Sequence, residues 1–252
     1  HISGSGGASV LRFENTDTGL STNEVIGKLE FETQDTGGAG VNAYIQAAGN
    51  NTSGAAYISF GTGTGGSTTE VARFDSSQRF MIGTTEAITT SASGKLQMAG
   101  TSSATSTFNV SRFSADGSSG VLSFMKSRNG SIGGNTVVNS GDNLGSISFH
   151  GDDGSDYVTM AAKIMAEVDG TPGSNDMPGR LAFFTTEDGD SSVTERVRIN
   201  NSGHLLHGTT TVPTGVKMGN HLVSSSSTGS EVIAFRKDSS VASGNLCGAF
   251  II

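Results

Sequence analysis

Glu70-Val-Ala-Arg-Phe-Asp-Ser-Ser-Gln-Arg-Phe-Met-Ile-Gly-Thr-Thr85 returns 125 positions later, without a gap, as Glu195-Arg-Val-Arg-Ile-Asn-Asn-Ser-Gly-His-Leu-Leu-His-Gly-Thr-Thr210. The two share the Glu, one Arg, one Ser and the closing Gly-Thr-Thr. A segment repeated at a fixed offset marks a modular architecture. Further anchors agree. Val10-Leu-Arg-Phe13 recurs as Val121-Leu-Ser-Phe124 and Val232-Ile-Ala-Phe235, and Gly27-x-Leu29-x-Phe31 recurs at Gly145 and Gly248. Ala43-Tyr-Ile-Gln-Ala47 matches Ala162-Lys-Ile-Met-Ala166, and Tyr57-Ile-Ser-Phe60 matches Arg180-Leu-Ala-Phe183. These anchors divide the chain into module one (1–85), a connector (86–120), module two (121–210), a second connector (211–231) and the start of a third module (232–252). A chain opening at His1 without Met reads as a piece of something longer.

Alternation at period two dominates the modules, the pattern of strands with one apolar face. Leu29 and Phe31 stand opposite Lys28 and Glu30, and Val197 and Ile199 stand opposite Arg196 and Arg198. Residues 161–168 have a helix-forming composition. Yet Ala162, Ile164, Ala166 and Val168 share one face at period two, with Lys163 and Glu167 on the other, so strand is the reading taken. Thr171-Pro-Gly-Ser174 and Met177-Pro-Gly-Arg180 place Pro then Gly as type II turns require. Asp-Gly or Asn-Gly pairs begin at Asp116, Asn129, Asp153, Asp169 and Asp188. Each module reads as about five short strands. A short beat, Leu96-Gln-Met98 against Val216-Lys-Met218, gives both connectors an ordered element.

Hydrophobic residues make up 34 % of the 252 and aromatics 6 %, while Gly occurs 37 times and Trp not at all. That is little for the core of a compact monomer, yet 13 Phe in alternating runs argue against disorder. A thin core completed by neighbouring repeats or partner chains is the reading that remains. Net charge is −8, and the densest basic groups are mere pairs, Arg196 with Arg198 and Arg236 with Lys237. Without a basic face, nucleic acid is excluded as a partner. The longest apolar runs, such as 249–252, fall far short of the about 20 residues that span a bilayer, so no membrane insertion is expected. The lone Cys247 allows neither a disulfide framework nor a zinc cluster within one chain, and reads as a buried strand cysteine. No signal peptide opens the chain.

Glu195-Arg-Val-Arg-Ile-Asn-Asn-Ser-Gly203 followed by Gly208-Thr-Thr210 resembles the beat repeated in the shafts of bacteriophage tail fibres and tail spikes. The run from Ala162 to Phe183, Ser127-Arg128 and the stretch leading to Gly145-Ser-Ile-Ser-Phe149 are similar to the same family. Module two matches throughout. Module one matches at its anchors, lacks the Pro-Gly turns and carries Phe74 and Gln78 at variant positions. The thin core and the resemblance together imply an all-β fold of repeated short-strand modules, forming an elongated, trimeric fibre of β-prism or triple β-helix type. Three copies would close one another's sheet edges and bring their apolar faces to the axis. The resemblance also implies a virion location and a structural shaft that positions a receptor-binding tip for host attachment. The expected partners are the chain itself as a homotrimer, other virion tail proteins and a host surface glycan or protein. A self-cleaving intramolecular chaperone domain often ends such proteins, and nothing up to Ile252 matches its catalytic region. Two alternatives stand beside this reading: a glycan-binding or glycan-cleaving spike, and a bacterial surface adhesin.

Catalysis needs a nucleophile with its base, or paired carboxylates, on a scaffold. His1, His150, His204, His207 and His221 come with no Gly-x-Ser-x-Gly elbow and no His-Glu-x-x-His pattern. The carboxylates fall mostly in turns, where Asp caps backbone. No enzymatic activity is expected, and no catalytic, cofactor-binding or metal residue and no cofactor is assigned. A depolymerase whose two carboxylates lie far apart in the chain stays open as an alternative. His204 and His207 look like a metal pair, but residues three apart on a strand face opposite ways. His207 takes the inward place of Ile82, where symmetry copies could gather around a metal or anion; a packed His is the plainer reading. Asp152-Asp-Gly-Ser-Asp156 lacks the spacing and distal Glu of a calcium loop and reads as an acidic hairpin tip. Only Tyr44, Tyr57 and Tyr157 could serve as phenolic platforms for a sugar. The interval from Phe124 to Gly145 is seven residues longer than that from Phe13 to Gly27. The surplus, within 129–142, reads as an outward loop and a contact surface.

Overall fold

The computed structural model describes residues 10–51, 54–90, 92–212 and 222–224. His1, His221, Cys247, the beat at 216–218 and the third module at 232–252 lie outside them. The chain divides into two compact units, His1–Asn109 and Val110–Ile252. Unit one is a six-stranded sheet of β1 (Val25–Thr33), β2 (Gly40–Gly49), β3 (Ala56–Thr64), β4 (Ser67–Phe74), β5 (Phe80–Ile82) and β6 (Leu96–Met98), neighbouring in that order. Unit two is a second such sheet of β7 (Asn143–His150), β8 (Met160–Val168), β9 (Gly179–Thr185), β10 (Thr194–Ile199), β11 (Leu205–His207) and β12 (Leu222–Ser224). In both sheets every pair is antiparallel except the last, β5 with β6 and β11 with β12, which is parallel. Among the described residues the sole helical element is a single 3-10 turn, Ser103–Thr105. The fold is all-β, and residues 161–168 fall in β8, a strand.

Each sheet thus has six strands where five were expected, because one comes from the following connector. A parallel pair needs a crossover, and in unit one the chain between β5 and β6 supplies it, with no helix among its described residues. Gln97 on β6 pins that crossover, donating to the carbonyls of Ile88 (3.1 Å) and Gly94 (3.2 Å) and accepting from Ile88 N–H (2.9 Å).

Register divides the side chains cleanly. In unit one Leu29, Ile45 and Phe60 lie in line across β1–β3, and Ile58, Phe74 and Phe80 across β3–β5, with the last two rings stacked at 4.7 Å. The opposite face carries Gln46, Ser59, Arg73 and Met81 in line. Unit two repeats the arrangement, with Ile147, Ile164, Phe183 and Val197 on one face and Met165, Ala182, Arg198 and Leu206 on the other. Most of the buried strand residues sit on the second, mixed face: Tyr57, Ser59, Arg73 and Met81 in unit one, Met165, Glu167, Ala182 and Leu206 in unit two, with Val168 at the end of β8 the exception.

One expectation about facing is corrected. Arg196 does not simply stand opposite Val197, because the register with β9 jumps from Glu195 to Val197 and leaves Arg196 as the extra residue of a β-bulge. The same jump in β4 runs between Glu70 and Ala72, leaving Val71 extra. Residues three apart on a regular strand face opposite ways. The bulge resets that parity and puts Glu70 beside Arg73, and Glu195 beside Arg198, on one face. Both pairs are bidentate, with Arg73 Nη2 to Glu70 at 2.8 Å and Arg198 Nη2 to Glu195 at 2.5 Å. The glycine of Gly-Thr-Thr closes the bulge: Gly83 N–H donates to Val71 O (3.0 Å) and Gly208 N–H to Arg196 O (2.9 Å).

The Pro-Gly turns are also corrected. A type II turn needs positive φ at its glycine, and neither Gly173 nor Gly179 has it. The chain reverses instead at Ser174-Asn175, with Asn175 at φ 57, between Gly173 and Asp176, which exchange both backbone hydrogen bonds (3.0 and 3.2 Å). Gly179 opens β9 opposite Val168. Nor are residues 10–13 and 121–124 strands; they have no strand partners and form no turn, bend or helix. Their aromatic ends explain the glycine that follows. A Cβ on Gly27 would stand 2.3 Å from Phe13 Cβ, and one on Gly145 2.5 Å from Phe124 Cβ, so each Phe lies directly on its glycine.

The hairpin before β5 and that before β11 share one design, a three-residue loop ending in a left-handed residue. Gly203 takes that place at φ 78, whereas in unit one Gln78 is held there at φ 62. Replacing Gln78 by Gly should raise the stability of unit one by about 1 kcal/mol, because a side chain in this region costs roughly that much. Ser59 offers a second case. Its buried Oγ has no hydrogen-bond partner among the described residues, and Ala182 fills the aligned place in unit two. Ser59→Ala should likewise stabilise by about 1 kcal/mol. Thermal and denaturant unfolding of the two variants would check both, and a loss of stability in either would contradict the account of that position.

Candidate functional site

Two surfaces and one loop are the features that could act. The first surface is the mixed face of each sheet, where charges are held by one another. In unit two Arg180 reaches Glu167 twice (2.9 and 3.0 Å) and Asp169 once (3.0 Å), and Asp169 also accepts from the backbone of Asn201 (2.9 Å). Burial would raise the Asp169 carboxyl, but the Asn201 amide and then Arg180 outweigh it and hold it below the usual carboxylate range. The Glu167 hydrogen bonds, the largest influence, raise the Arg180 guanidinium. In unit one Tyr57 takes the place of Arg180, with the Arg73 guanidinium 4.0 Å over its ring and its hydroxyl donating to Asn23 (3.1 Å). Burial, ahead of other causes, pushes the Tyr57 phenol up. A polar cleft of about 480 Å³ opens there, lined by Asn23, Asn50, Arg73, Asp75, Arg79 and Glu86. Asp75 accepts from the Arg79 backbone and side chain, which hold it below its ordinary value against the upward push of burial.

The second surface is the apolar face. Leu29, Phe31, Ile45, Ile58 and Phe74 are 40 % to 51 % exposed, and Ile147, Phe149, Leu181, Phe183, Ile199 and Leu205 are 37 % to 51 % exposed. None of the strand positions in register on it carries Asp, Glu, Lys or Arg. An apolar groove of about 330 Å³ runs along it in unit one, between Phe13, Gly27, Leu29, Ile45, Ala47 and Ile58. A fully buried side chain of these types yields about 2 kcal/mol, so roughly half of that is left unrealised at each residue.

The loop is the surplus of module two. The offset between modules is 111 at Phe13 and Phe124 but 118 at Gly27 and Gly145. The structure places the change earlier than the full 129–142 stretch. Val138 is buried, and Gly141 and Asp142 pair with Val168 as Asn23 and Glu24 pair with Gly49, already at offset 118. The extra residues therefore lie in the closed loop 127–136, tied by Arg128 N–H to Thr136 O (3.2 Å) and by the Ser127 hydroxyl. Ile132 near its tip is fully exposed. Arg128 pairs twice with Asp142 (2.6 Å each), whose carboxyl is driven far below its ordinary value, chiefly by that contact.

His204 sits on the turn before β11, with its ring 3.3 Å from the Asn200 amide. His207 stands on the apolar face in register with Val197, the place Ile82 holds opposite Ala72. His150 ends β7 with a buried Nδ1 that has no hydrogen-bond partner among the described residues. In the 152–156 stretch each carboxylate accepts from loop backbone: Asp152 from Gly154, Asp153 from Ser155 and Asp156, and Asp156 from Val158. Among the described residues no group of three or more His, Cys, Asp or Glu is arranged to hold a metal, and no helix is long and apolar enough to cross a membrane.

No protein-family model matches the chain, and no curated protein does. Solved structures do match. The carboxy-terminal domain of the bacteriophage T5 L-shaped tail fibre with its intra-molecular chaperone domain aligns with a TM-score of 0.69 at 14 % identity, covering 97 % of this chain and 68 % of that one. The likeness is one of fold. A second structure, of the carboxy-terminal domain of the same fibre, aligns with a TM-score of 0.66 at 14 % identity, covering 94 % of this chain and 96 % of that one.

Removing Arg180 would leave Glu167 and Asp169 part-buried and unpaired, so Arg180→Ala should destabilise unit two by about 3 kcal/mol in denaturant unfolding. Asp169 adds a pH dependence. Its folded pKa lies below the unfolded value of about 3.9, so its contribution is complete above that value and disappears as pH falls through the folded pKa. Asp169→Asn should flatten the loss of stability below about pH 4, and an unchanged acid limb would contradict the network.

Proposed function

We propose that this chain is a structural shaft segment of a bacteriophage tail fibre, carried on the virion, in which three copies cover one another's apolar faces. The observation that carries this reading is the uncharged, half-exposed apolar face present on both sheets of a tail-fibre fold. A face of this size and neutrality fits a surface of the same kind, and a closed symmetric assembly offers one without leaving open edges. The shaft positions a receptor-binding tip for host attachment and joins other virion tail proteins. The role is structural and not catalytic.

Sedimentation equilibrium should return three times the chain mass, whereas Phe183→Asp, which puts a charge on the apolar face, should return smaller species that keep their β-sheet circular dichroism. A wild-type chain that stays monomeric at micromolar concentration would overturn the assembly. Capsular and lipopolysaccharide glycans incubated with the assembled protein should remain uncut, and release of oligosaccharides would refute the non-catalytic role.

The loop at 127–136 favours a second role, contact with the host surface or a neighbouring virion part, because it projects Ile132 into solvent. Deleting residues 129–135, which restores the module-one spacing, should leave the melting temperature within a few degrees, since loop closure depends weakly on length. Attachment assays on phage carrying the deletion would test the contact; unchanged adsorption would remove it.

A further inference from the structure

Asn129-Gly130, in the closed loop 127–136, is the single Asn-Gly pair of the chain. An asparagine reacts with its own chain when the backbone nitrogen of the next residue adds to the side-chain carbonyl carbon and expels ammonia. Two things hold this reaction back: the next residue's side chain, which shields that nitrogen, and the freedom of the asparagine to turn away. The loop removes both. Gly130 has no side chain, a Cβ placed there would meet nothing within 4 Å, and both residues are exposed to water. The Asn129 side chain is held at three atoms. Its Oδ1 accepts from the Ser131 N–H at 2.8 Å, which curls the amide back over the Gly130 peptide, and its Nδ2 donates to the Thr136 hydroxyl at 3.1 Å. Its Cγ lies on Gly134, where a Cβ would collide with it. Asn15 and Asn200 fold back in the same way, onto the amides of Asp17 (2.9 Å) and Ser202 (3.1 Å), but Thr16 and Asn201 follow them, each with a side chain.

We propose that Asn129 is a self-modifying residue and that the loop around it promotes the change. The Gly130 nitrogen bonds to Asn129 Cγ, and the charge that gathers on Oδ1 faces the Ser131 N–H, a donor placed as in an oxyanion hole. The bond from Cγ to Nδ2 then breaks. Nδ2 leaves as ammonia with the proton lost by Gly130, and the Thr136 hydroxyl beside it relays that proton. Water opens the resulting cyclic imide at either carbonyl. One opening gives aspartate at position 129. The other gives an isoaspartyl link, in which the main chain runs through the side chain and gains a carbon. Water enters and ammonia leaves, so the balance needs no oxidant, metal or second enzyme. Either product puts a new negative charge on a loop that projects Ile132 into solvent, and the second also re-aims that tip.

The test is to age the whole protein in mildly alkaline buffer, digest it, and follow each asparagine by mass spectrometry. Asn129 should convert, while Asn15, Asn200 and Asn135 in the same loop keep their amides. Conversion should be about tenfold faster in the folded protein than in a free peptide of residues 127–136, because the reacting groups are already placed. Thr136→Val should bring the folded rate down to that of the peptide by removing the proton relay. Gly130→Ala, for which the loop has room, should slow the reaction in protein and peptide alike. An Asn129 that stays intact in the folded protein while the peptide converts would overturn the proposal, since the loop would then protect the side chain. Equal rates in protein and peptide would overturn it as well, because the loop would then contribute nothing beyond its sequence.

Discussion

The constraint on which everything else here depends is that each sheet has an apolar side that the described residues of its own unit leave largely open. A sheet normally folds by burying that side. Here Phe31, Ile58, Ile147 and Phe149 stay about half open, and most of the buried residues are on the other side, where Arg73, Ser59 and Glu167 share space with Met81, Ala182 and Leu206. The single chain is therefore held together by the face that elementary hydrophobicity would have pointed outward. That is feasible because the charges there are mutually satisfied: Glu70 with Arg73, Glu195 with Arg198, Arg180 with Glu167 and Asp169.

The bulge makes this arrangement possible. On a regular strand the Glu and Arg of each pair, three residues apart, would point to opposite sides, one of them onto the neutral face; the bulge at Val71 or Arg196 prevents this. The spacing Glu-x-x-Arg, with Gly-Thr-Thr ten residues after the Arg, is thus a single structural device, a carboxylate and guanidinium brought to one side and a glycine N–H closing the carbonyl between them.

Much of this was legible in the residues. Period two in 161–168 outweighed the helix-forming composition, because Ala162, Ile164 and Ala166 needed a common side against Phe149, Phe183 and Leu181. Aligning Tyr57–Phe60 with Arg180–Phe183 placed Ile58 with Leu181 and Phe60 with Phe183, as the registers have them. The contact surfaces were less legible. A bulge leaves no mark on hydrophobic periodicity except a pair whose spacing looks wrong, and the shared Glu and Arg were noted without that inference. Pro-Gly suggested turns, but Asn175 was better able to adopt the left-handed conformation where the chain reversed. Residues 10–13 and 121–124 alternate like strands, yet local pattern does not say whether a strand has a neighbour, and here they have none among the described residues. The loop boundary was missed because Val138 looks like loop until its burial, just before Gly141 and Asp142 pair with Val168, is seen.

The neutrality of the apolar face has a thermal and ionic consequence. Salt screens charge, and there is none in register on that face to screen, so an assembly closed over it would hold equally well in dilute and in concentrated brine. Cooling acts differently, because apolar contacts lose strength as temperature falls. Such a fibre would be indifferent to salinity and weakest in the cold, and its polar side, with Arg180 and its two carboxylates, would have to carry the sheet through the chill.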